Sequence, residues 1–411
     1  MSRSNPPSRS AAGLKVLLLE NVHASAHELL LDAGCRVEAL AGALGEDALI
    51  ERLQGVHVLG IRSKTQVTSR VLAATPSLMT VACFCIGTNQ VALNTAHDLG
   101  LPVFNAPFSN TRSVAEMIIS EIVMLARQLG DRVREVHAGK WHKVSAHCVE
   151  VRGKTLGIVG YGHIGTQIGV LAEQLGMRVV AYDIATKLPM GNTRMMDSLE
   201  EVLEASNFVT LHVPETPQTR MMIGAEAIAR MKKGAMLLNA SRGSVVDLDA
   251  LSAALRGGHL GGAAIDVYPE EPEANGDGFV SVLQGLPNVI LTPHIGGSTL
   301  EAQANIGREV STSLVRYLEV GSTVGAVNFP NLEMAPTAGS HRLLNAHRNV
   351  PGVLRDINRI TSDLGANIRA QTLATDASLG YLIMDIDQDV STAVADAVRA
   401  LSTSISTRVV Y

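Results

Sequence analysis

Short apolar segments alternate with amphipathic ones from the start of the chain. This pattern predicts strands at residues 15–20, 56–61 and 78–85, a helix at 23–33, and further helical stretches between the strands. Strands that alternate with helices are typical of a parallel sheet covered by helices. The amino-terminal part is therefore predicted to form an α/β domain.

A second alternating series follows a long helix predicted at residues 113–128, where apolar side chains recur at intervals of three and four. The strands of this series are short and apolar throughout, at residues 155–160, 178–183, 208–213, 235–240, 262–267 and 289–292. Such strands are expected where helices cover both faces of a parallel sheet. The two series together predict two doubly wound parallel-sheet domains, Rossmann-like or flavodoxin-like.

The pattern changes after residue 330. Residues 331–340 contain Pro336 and Gly339 and are typical of a linker. The rest predicts strand, helix, strand, strand, helix and strand, at residues 342–346, 351–364, 366–375, 381–387, 390–401 and 404–410. This order is that of a ferredoxin-like unit, so a third, smaller domain is expected at the carboxyl terminus.

A glycine-rich loop follows the first strand of the second series. Gly160, Gly162 and Gly165 have the spacing G-x-G-x-x-G, in which they allow a tight turn, the approach of a pyrophosphate, and close packing of helix on strand. The bare motif often marks only a turn. Here Asp183 ends the next strand about 20 residues later, where a carboxylate accepts hydrogen bonds from ribose hydroxyls. We therefore predict a dinucleotide site, with NAD preferred over NADP because Asp183 would repel a 2′-phosphate.

Polar side chains end five strands of the second series: Asp183, His212, Arg242, Asp266 and His294. Because ligands bind beyond the carboxyl ends of strands in open parallel sheets, we expect these side chains on one rim. Each alone has an ordinary alternative, such as a solvated charge or a surface histidine. Their convergence favours an active site.

Charge and composition narrow the possible partners. The chain has 34 Lys and Arg against 39 Asp and Glu, a net charge of −5, and only 3% aromatic residues, which argues against nucleic acid. No apolar run approaches the ~20 residues that cross a bilayer, so no membrane partner is expected. The four cysteines lack the paired spacing of a zinc site, so no metal is predicted, and reduced thiols favour the cytoplasm. Residues 1–13, rich in Ser, Arg and Pro, are predicted to be a disordered tail rather than a transit peptide.

Several segments carry a resemblance to a known family. They read FCIGTNQ at 84–90, NAPFSNTRSVAE at 105–116, GYGHIGT at 160–166, NASRG at 239–243, AIDVYPEEP at 264–272 and LTPHIGG at 291–297. Over residues 15–411 the chain resembles the NAD-dependent D-2-hydroxyacid dehydrogenases, in the short form with one carboxyl-terminal ACT domain. The resemblance implies a substrate-binding domain at 14–110 completed by 297–330, an NAD-binding domain at 111–296, and a regulatory ACT domain at 341–411.

The resemblance also implies catalytic roles that the chemistry requires. His294 is the expected acid/base, Glu271 the carboxylate that orients its imidazole, and Arg242 the guanidinium that binds the substrate carboxylate. Oxidising a secondary alcohol needs such a base, a hydride acceptor and a cation. Glu271 is preferred to the adjacent Glu270 on the motif alone. The residues expected to contact NAD are Gly160, Gly162, His163, Ile164, Gly165, Asp183, His212, Ala240, Ser241, Arg242, Asp266, His294, Ile295, Gly296 and Gly297.

The remaining expected contacts also rest on the resemblance. For the substrate they are Arg62, Ser63, Asn110 and Lys143, and for L-serine as effector they are His347, Asn349 and Asn367. Trp141 is expected either to reach a neighbouring subunit or to be buried in its own. Two departures affect the regulatory expectation, because the related bacterial enzyme has two glycines where this chain has Gly339-Ser340, and an arginine where it has Val350.

The activity implied is oxidation of 3-phospho-D-glycerate with NAD to 3-phosphohydroxypyruvate, the entry to serine synthesis, by a homotetramer that serine inhibits. Two alternatives remain open. The protein could reduce another small 2-oxo acid, such as 2-oxoglutarate or hydroxypyruvate, or it could be a non-catalytic scaffold that senses NAD.

Overall fold

The chain divides into two compact units. The computed structural model describes residues 11–272 and 276–411. The first unit contains the described residues up to Ser109 together with Gln303–Tyr411, and the second is Asn110–Ala302. The chain passes from the first unit to the second after Ser109, one residue before the boundary expected after residue 110. It passes back after Ala302, six residues after the boundary expected after residue 296.

The first unit begins with a five-stranded parallel sheet. Its elements are β1 (Lys15–Leu18), α1 (Ala24–Asp32), β2 (Arg36–Ala39), α2 (Glu46–Arg52), β3 (Val58–Ile61), α3 (Ser69–Ala74), β4 (Thr80–Cys83), α4 (Leu93–Asp98) and β5 (Val103–Phe104). The strand order β2-β1-β3-β4-β5 is flavodoxin-like, as predicted. Every residue of β3 and β4 is buried, because helices cover both faces.

The predicted tail is too long at its carboxyl end. Ala11 is fully buried in the core of the first sheet, and its carbonyl accepts a hydrogen bond from the Cys35 thiol at 3.4 Å. The backbone N–H of Gly13 also donates to the carbonyl of Gly34. Residues 11–13 therefore belong to the domain, whereas residues 1–10 lie outside the described residues.

The second unit contains the larger sheet. Its elements are α5 (Thr111–Arg127), α6 (Leu129–His137), β6 (Thr155–Val159), α7 (His163–Gln174), β7 (Arg178–Tyr182), β8 (Arg194–Met195), α8 (Leu199–Ala205), β9 (Phe208–Leu211), α9 (Ala225–Arg230), β10 (Met236–Asn239), α10 (Leu248–Arg256), β11 (Gly262–Ile265) and β12 (Val289–Leu291). The strands are parallel in the order β12-β11-β10-β9-β6-β7-β8, which is the Rossmann arrangement with one added strand. Their carboxyl ends therefore meet along one edge, and α11 (Leu300–Val320) leads out of this unit.

The carboxyl-terminal domain has the predicted ferredoxin-like order. Its elements are β13 (His341–Arg348), α12 (Val353–Asp363), β14 (Ile368–Thr375), β15 (Leu379–Ile386), α13 (Ser391–Arg399) and β16 (Ser404–Val410). The four strands form an antiparallel sheet in the order β14-β15-β13-β16. The central strand β15 is buried along its whole length.

Side chains of this domain bond to the carbonyl end of α11. Arg408 donates to the carbonyls of Tyr317 and Leu318 at 2.7 and 3.0 Å, and the Tyr381 hydroxyl donates to that of Gly321 at 2.8 Å. The last carbonyls of a helix lack partners within it, and cations there also complement the helix dipole. These bonds attach the domain to the first sheet's unit.

The predicted linker is irregular but anchored. The Leu332 N–H donates to the Thr323 hydroxyl at 3.0 Å, and the Thr337 N–H donates to Asp385 at 2.9 Å. Gly339 has a φ of +72°, which favours glycine. Among the described residues, no helix is long and apolar enough to cross a membrane.

Candidate active site

The glycine-rich loop lies between β6 and α7. Gly160 has a φ of +93°, and a Cβ atom there would overlap the carbonyl oxygen of His212. A Cβ atom at Gly165 would overlap the carbonyl oxygen of Gly160, so both glycines are required by the turn itself. Gly162 differs, because no atom lies within 4 Å of its Cβ position, directly before α7. The space at this helix N-terminus therefore fits a pyrophosphate.

Asp183 joins this loop to the end of β7. Its two carboxylate oxygens accept hydrogen bonds from the backbone N–H groups of Tyr161 and Ala185, each at 2.9 Å. The carboxylate is thus fixed beside the glycine loop, at the position predicted for a ribose contact. A cavity of about 540 Å³ runs along α7 and is lined by residues that include His163 and Lys187.

The contrast between two glycines gives a testable prediction. Gly162→Ala is expected to fold normally but to weaken NADH binding about tenfold or more, because the new methyl group occupies the space for the pyrophosphate. Gly165→Ala is expected to lower the free energy of unfolding by about 2 kcal/mol. Fluorescence titration with NADH and thermal unfolding of both variants measure the two effects. Wild-type NADH affinity in Gly162→Ala would refute the placement of the pyrophosphate.

Arg242 is positioned by a hydrogen-bonded turn after β10. The buried Asn239 accepts from the N–H and the hydroxyl of Ser241 at 3.0 and 2.7 Å and donates to the Arg242 carbonyl at 3.0 Å. A Cβ atom at Gly243 would overlap the backbone of Tyr268. Asn239 and Gly243 are not among the predicted site residues, although an asparagine ending an apolar strand is a signal for such a turn.

His294 and Glu271 form a close pair on the same rim. The distance from His294 Nδ1 to Glu271 Oε2 is 2.7 Å, and the other carboxylate oxygen accepts from the Tyr268 N–H at 3.1 Å. The hydrogen bond with Glu271 raises the pKa of His294, although burial opposes it. Burial alone would raise the pKa of Glu271, but the hydrogen bonds from His294 and Tyr268 hold it below its usual value. The charge of Arg242 acts on both groups.

Asp266 shapes the turn that carries His294. Its carboxylate accepts from the Thr292 hydroxyl at 2.6 Å and from the N–H groups of Ile295 and Gly296, each at 2.9 Å. His294 itself has a φ of +54°, and its N–H donates to the Asp266 carbonyl at 2.8 Å. A non-glycine residue with positive φ is strained, so these bonds are what hold it. The expected contact of Asp266 with NAD stays a prediction.

Two further predicted residues line the rim. A Cβ atom at Gly297 would touch the Asn110 side chain, so Asn110 lies against the turn after His294. His212 Nε2 lies 2.8 Å from the Thr210 hydroxyl, and burial lowers the pKa of His212 to about 3. A histidine with so low a pKa is a poor proton acceptor. This agrees with a role for His212 in the wall of the pocket.

The remaining predicted substrate residues are divided between the two units. Arg62 and Ser63 follow β3 in the first unit, at the carboxyl edge of its sheet. Lys143 lies in an irregular, exposed stretch of the second unit. Trp141 nearby is 82% exposed, so the alternative that it is buried within its own chain is wrong.

The predicted effector residues lie in or next to the strands of the carboxyl-terminal sheet. His347 is buried within β13, with Nδ1 2.9 Å from the Asn345 amide oxygen. Asn349 follows β13, and its amide donates to the Asp376 carbonyl at 2.6 Å. Asn367 precedes β14. The structure places His347 and Asn349 near one end of the sheet and Asn367 at the other.

A buried carboxyl group that the sequence analysis did not predict lies behind the rim. Glu121 on α5 is 4% exposed, and its Oε1 has no hydrogen-bond partner among the described residues. Burial, with a smaller contribution from Asp266, raises the pKa of Glu121 from 4.5 to about 8. Glu121 therefore carries a proton at neutral pH. The helical period marks position 121 only as near the buried face of α5, so periodicity could not predict its protonation.

The raised pKa predicts a pH-dependent effect on stability. Ionising Glu121 disfavours the folded state, so its cost is absent below pH 4.5 and grows until about pH 8. Glu121→Gln is expected to raise the free energy of unfolding by about 4 kcal/mol at pH 8 and by almost nothing near pH 4.5. Denaturant unfolding at both pH values measures this. An equal difference at the two values would show that Glu121 does not titrate between them.

The described residues hold no group of three or more His, Cys, Asp or Glu side chains that could bind a metal ion. All four cysteines, Cys35, Cys83, Cys85 and Cys148, are free.

Comparison with known proteins places these features in a family. A family model for the D-isomer specific 2-hydroxyacid dehydrogenase NAD binding domain matches residues 119–296, and one for the AHAS small subunit-like ACT domain matches residues 343–406. The predicted fold class, with two doubly wound domains and an ACT domain, is thereby confirmed. The glycine loop, its open helix N-terminus and Asp183 fit the NAD that this family binds.

Relatives match over nearly the whole chain. The D-3-phosphoglycerate dehydrogenase of Dictyostelium discoideum is 53% identical over 97% of both chains, and that of Escherichia coli K12 is 50% identical over 97% of this chain and 98% of its own. A D-isomer specific 2-hydroxyacid dehydrogenase from Lactobacillus delbrueckii, solved in its NAD complexed form, has 26% identity and a TM-score of 0.67 over 76% of this chain and all of its own. The chain therefore belongs to the NAD-dependent D-isomer specific 2-hydroxyacid dehydrogenases and, within them, to the D-3-phosphoglycerate dehydrogenase family.

Proposed function

We propose that this chain oxidises 3-phospho-D-glycerate with NAD to 3-phosphohydroxypyruvate, the first step of serine synthesis. The observation that carries the proposal is the 2.7 Å pair of His294 and Glu271 on the rim that also holds Arg242. Relatives about 50% identical, named for this activity, support the choice of substrate.

Each of the three side chains has one task in the reaction. Because Nδ1 of His294 bonds to Glu271, its Nε2 is left to exchange a proton with the C2 oxygen of the substrate. The Arg242 guanidinium binds the adjacent carboxylate as a charge-assisted pair. Glu271 stabilises the protonated imidazole, so His294 can take the proton in oxidation and return it in reduction. When bound, NAD supplies the hydride acceptor.

The substrate phosphate is assigned to the other unit. Arg62 and Ser63 follow β3 at the carboxyl edge of the first sheet, which is where open parallel sheets bind ligands. A guanidinium suits a phosphate because it can donate two parallel hydrogen bonds. Lys143 is proposed as a further cation at this substrate, and the exposed Trp141 as an anchor on a neighbouring subunit.

Serine is proposed as the effector, in a site that two chains share. Asn349 lies at the end of β13 that pairs with Leu379, whereas Asn367 lies at the end of β14 that pairs with Ile386. These ends are seven residues apart along β15, or roughly 24 Å, so one domain cannot bring both amides to one amino acid. This requirement favours an assembly of at least two chains, and we propose that the assembly is a homotetramer. We place it in the cytoplasm because the cysteines are free.

The test is the rate of NADH oxidation with three 2-oxo acids. We expect kcat/KM for 3-phosphohydroxypyruvate to exceed those for hydroxypyruvate and 2-oxoglutarate by about tenfold or more, because only the first substrate has a phosphate for the Arg62 loop. A preference for either of the others would replace the proposed substrate. Absence of turnover with all three, in protein that binds NADH, would favour the scaffold.

A further inference from the structure

The backbone of the segment that follows β3 donates hydrogen bonds to a buried carboxylate. Glu20, at the end of β1, is 7% exposed, and its two carboxylate oxygens accept from the N–H groups of Lys64 and Thr65 at 2.9 and 2.8 Å. A carboxylate that receives one backbone N–H on each oxygen fixes the peptide between those groups. Residues 62–65, here named the phosphate loop, are therefore held on one side by a single side chain.

A second buried side chain holds the other end of the phosphate loop. The amide of Gln90 donates to the carbonyl of Arg62 at 2.6 Å and to that of Gly87 at 3.3 Å. The Cys85 thiol also contacts the carbonyls of Arg62 and Gly87, at 3.5 and 3.1 Å. Glu20 follows β1 and Gln90 lies in the segment between β4 and α4, so the loop is fixed by two separate parts of the chain.

The backbone at Glu20 is strained, and a negative charge at this place is unfavourable. Glu20 and Asn21 have φ values of +65° and +52°, a conformation that costs energy in non-glycine residues. The Glu20 carboxylate bonds to the two residues that follow Ser63, so it also repels any anion that binds at Ser63. Both costs are explained if Glu20 serves to fix the conformation of the loop. An amide or a hydroxyl side chain could not accept the two N–H groups as well as a carboxylate does.

We propose that Glu20 and Gln90 are positioning residues that set the phosphate loop for a phosphorylated 2-oxo acid. They do not touch the substrate. They orient Arg62 and Ser63, so their effect falls on the affinity for the phosphate group and not on the chemistry at C2. This inference rests on the proposed function, because it takes the loop to be the phosphate site.

The test compares kinetic constants for substrates with and without a phosphate. In Glu20→Gln the amide nitrogen faces one of the two N–H donors, so we expect KM for 3-phosphohydroxypyruvate to rise about tenfold. We expect kcat, KM for NADH and KM for hydroxypyruvate to stay near wild type. Gln90→Leu removes the donor to the Arg62 carbonyl and should show the same pattern from a separate part of the chain, even if Glu20→Gln folds poorly.

A matched control separates positioning from general loss of structure. Asp247 also accepts two backbone N–H groups, both on Oδ1, at the start of α10 in the second unit, so Asp247→Ala removes two comparable bonds away from the loop. It should leave KM for 3-phosphohydroxypyruvate unchanged. Equal rises of KM for both substrates in the Glu20 and Gln90 variants, or no rise at all, would overturn the inference.

Hydrogen exchange gives a readout that needs no turnover. The amides of Lys64 and Thr65 should be protected in the wild type and exchange faster in Glu20→Gln, while those at Asp249 and Ala250 should not change. If the wild type fails to reduce any 2-oxo acid, the proposed function fails, whereas unprotected amides at 64 and 65 in the wild type would overturn the positioning role alone.

Discussion

Replacing His294 by asparagine is expected to lower kcat about 1000-fold while NADH still binds with near wild-type affinity. Proton transfer by a positioned side chain typically contributes 10²–10⁴-fold, and an amide cannot carry the proton that His294 exchanges with the C2 oxygen. Asparagine is the informative replacement because it tolerates the positive φ that His294 adopts. The turn held by Asp266 should therefore survive, and the loss should reflect chemistry.

Steady-state rates and NADH titration measure this prediction. His259 provides the control, because it lies in the same unit and its Nε2 is bonded to the Ile228 carbonyl at 3.0 Å, away from the rim. His259→Asn should keep kcat near wild type. If His294→Asn retained a tenth of the wild-type kcat, another group would have to be the acid/base.

The second large effect concerns a buried ion pair in the ACT domain. Arg342 and Asp385 have side chains that are 5% and 1% exposed, and they share two hydrogen bonds of 2.7 and 2.9 Å. Arg342 also donates to the carbonyls of Val320, Met334 and Ala335. Burial would raise the pKa of Asp385, but the hydrogen bonds from Arg342 hold it below its usual value. The guanidinium thus joins the ACT sheet, the end of α11 and the linker.

Arg342→Met is expected to lower the free energy of unfolding by about 4 kcal/mol, because it leaves a buried carboxylate without its counterion and three carbonyls without their donor. Urea denaturation followed by circular dichroism measures the loss. The control is Arg355→Met, which removes a 3.0 Å pair with Asp356 whose arginine is 76% exposed, and it should cost at most about 1 kcal/mol. Equal losses in the two variants would contradict the role given to burial.

The hydrophobic pattern of the sequence predicted the strands that other elements cover on both faces. The strands β3, β4, β9, β10 and β11 are buried throughout, so their sequences are continuous apolar runs. Strand β2 at the edge of its sheet is mostly exposed and has two charged residues in four, and β8 has only two residues. Neither strand has a hydrophobic pattern from which it could be predicted.

The position of the active-site rim could be predicted from the order of the strands, but the residues that shape the rim could not. Parallel strands end at one edge, so the order of strands along the sequence was enough to place Arg242 and His294 together. The need for Gly243 arises from the backbone of Tyr268, 25 positions later, which is a tertiary contact. Glu121 lies on a helix whose period predicts burial, but its missing partner and its neighbour Asp266 depend on how α5 packs.

The separation of the effector residues was equally invisible in the sequence. It depends on the antiparallel register that pairs Leu379 with Arg348 and Ile386 with Ile368. The tail boundary was misplaced because a single alanine, Ala11, enters the core without any periodic neighbour.

The central claim is that the hydrogen bond with Glu271 raises the pKa of His294, the group that exchanges a proton with the substrate at the rim. Its most direct test is the pH dependence of kcat/KM for reduction of 3-phosphohydroxypyruvate by the wild type and Glu271→Gln. Reduction needs the imidazolium, so the rate should be constant at low pH and fall as pH rises through the raised pKa of His294. Without the carboxylate this fall should move to lower pH by about one to two units. Because the substrate's own ionisation is the same for both proteins, superimposable profiles would contradict the account.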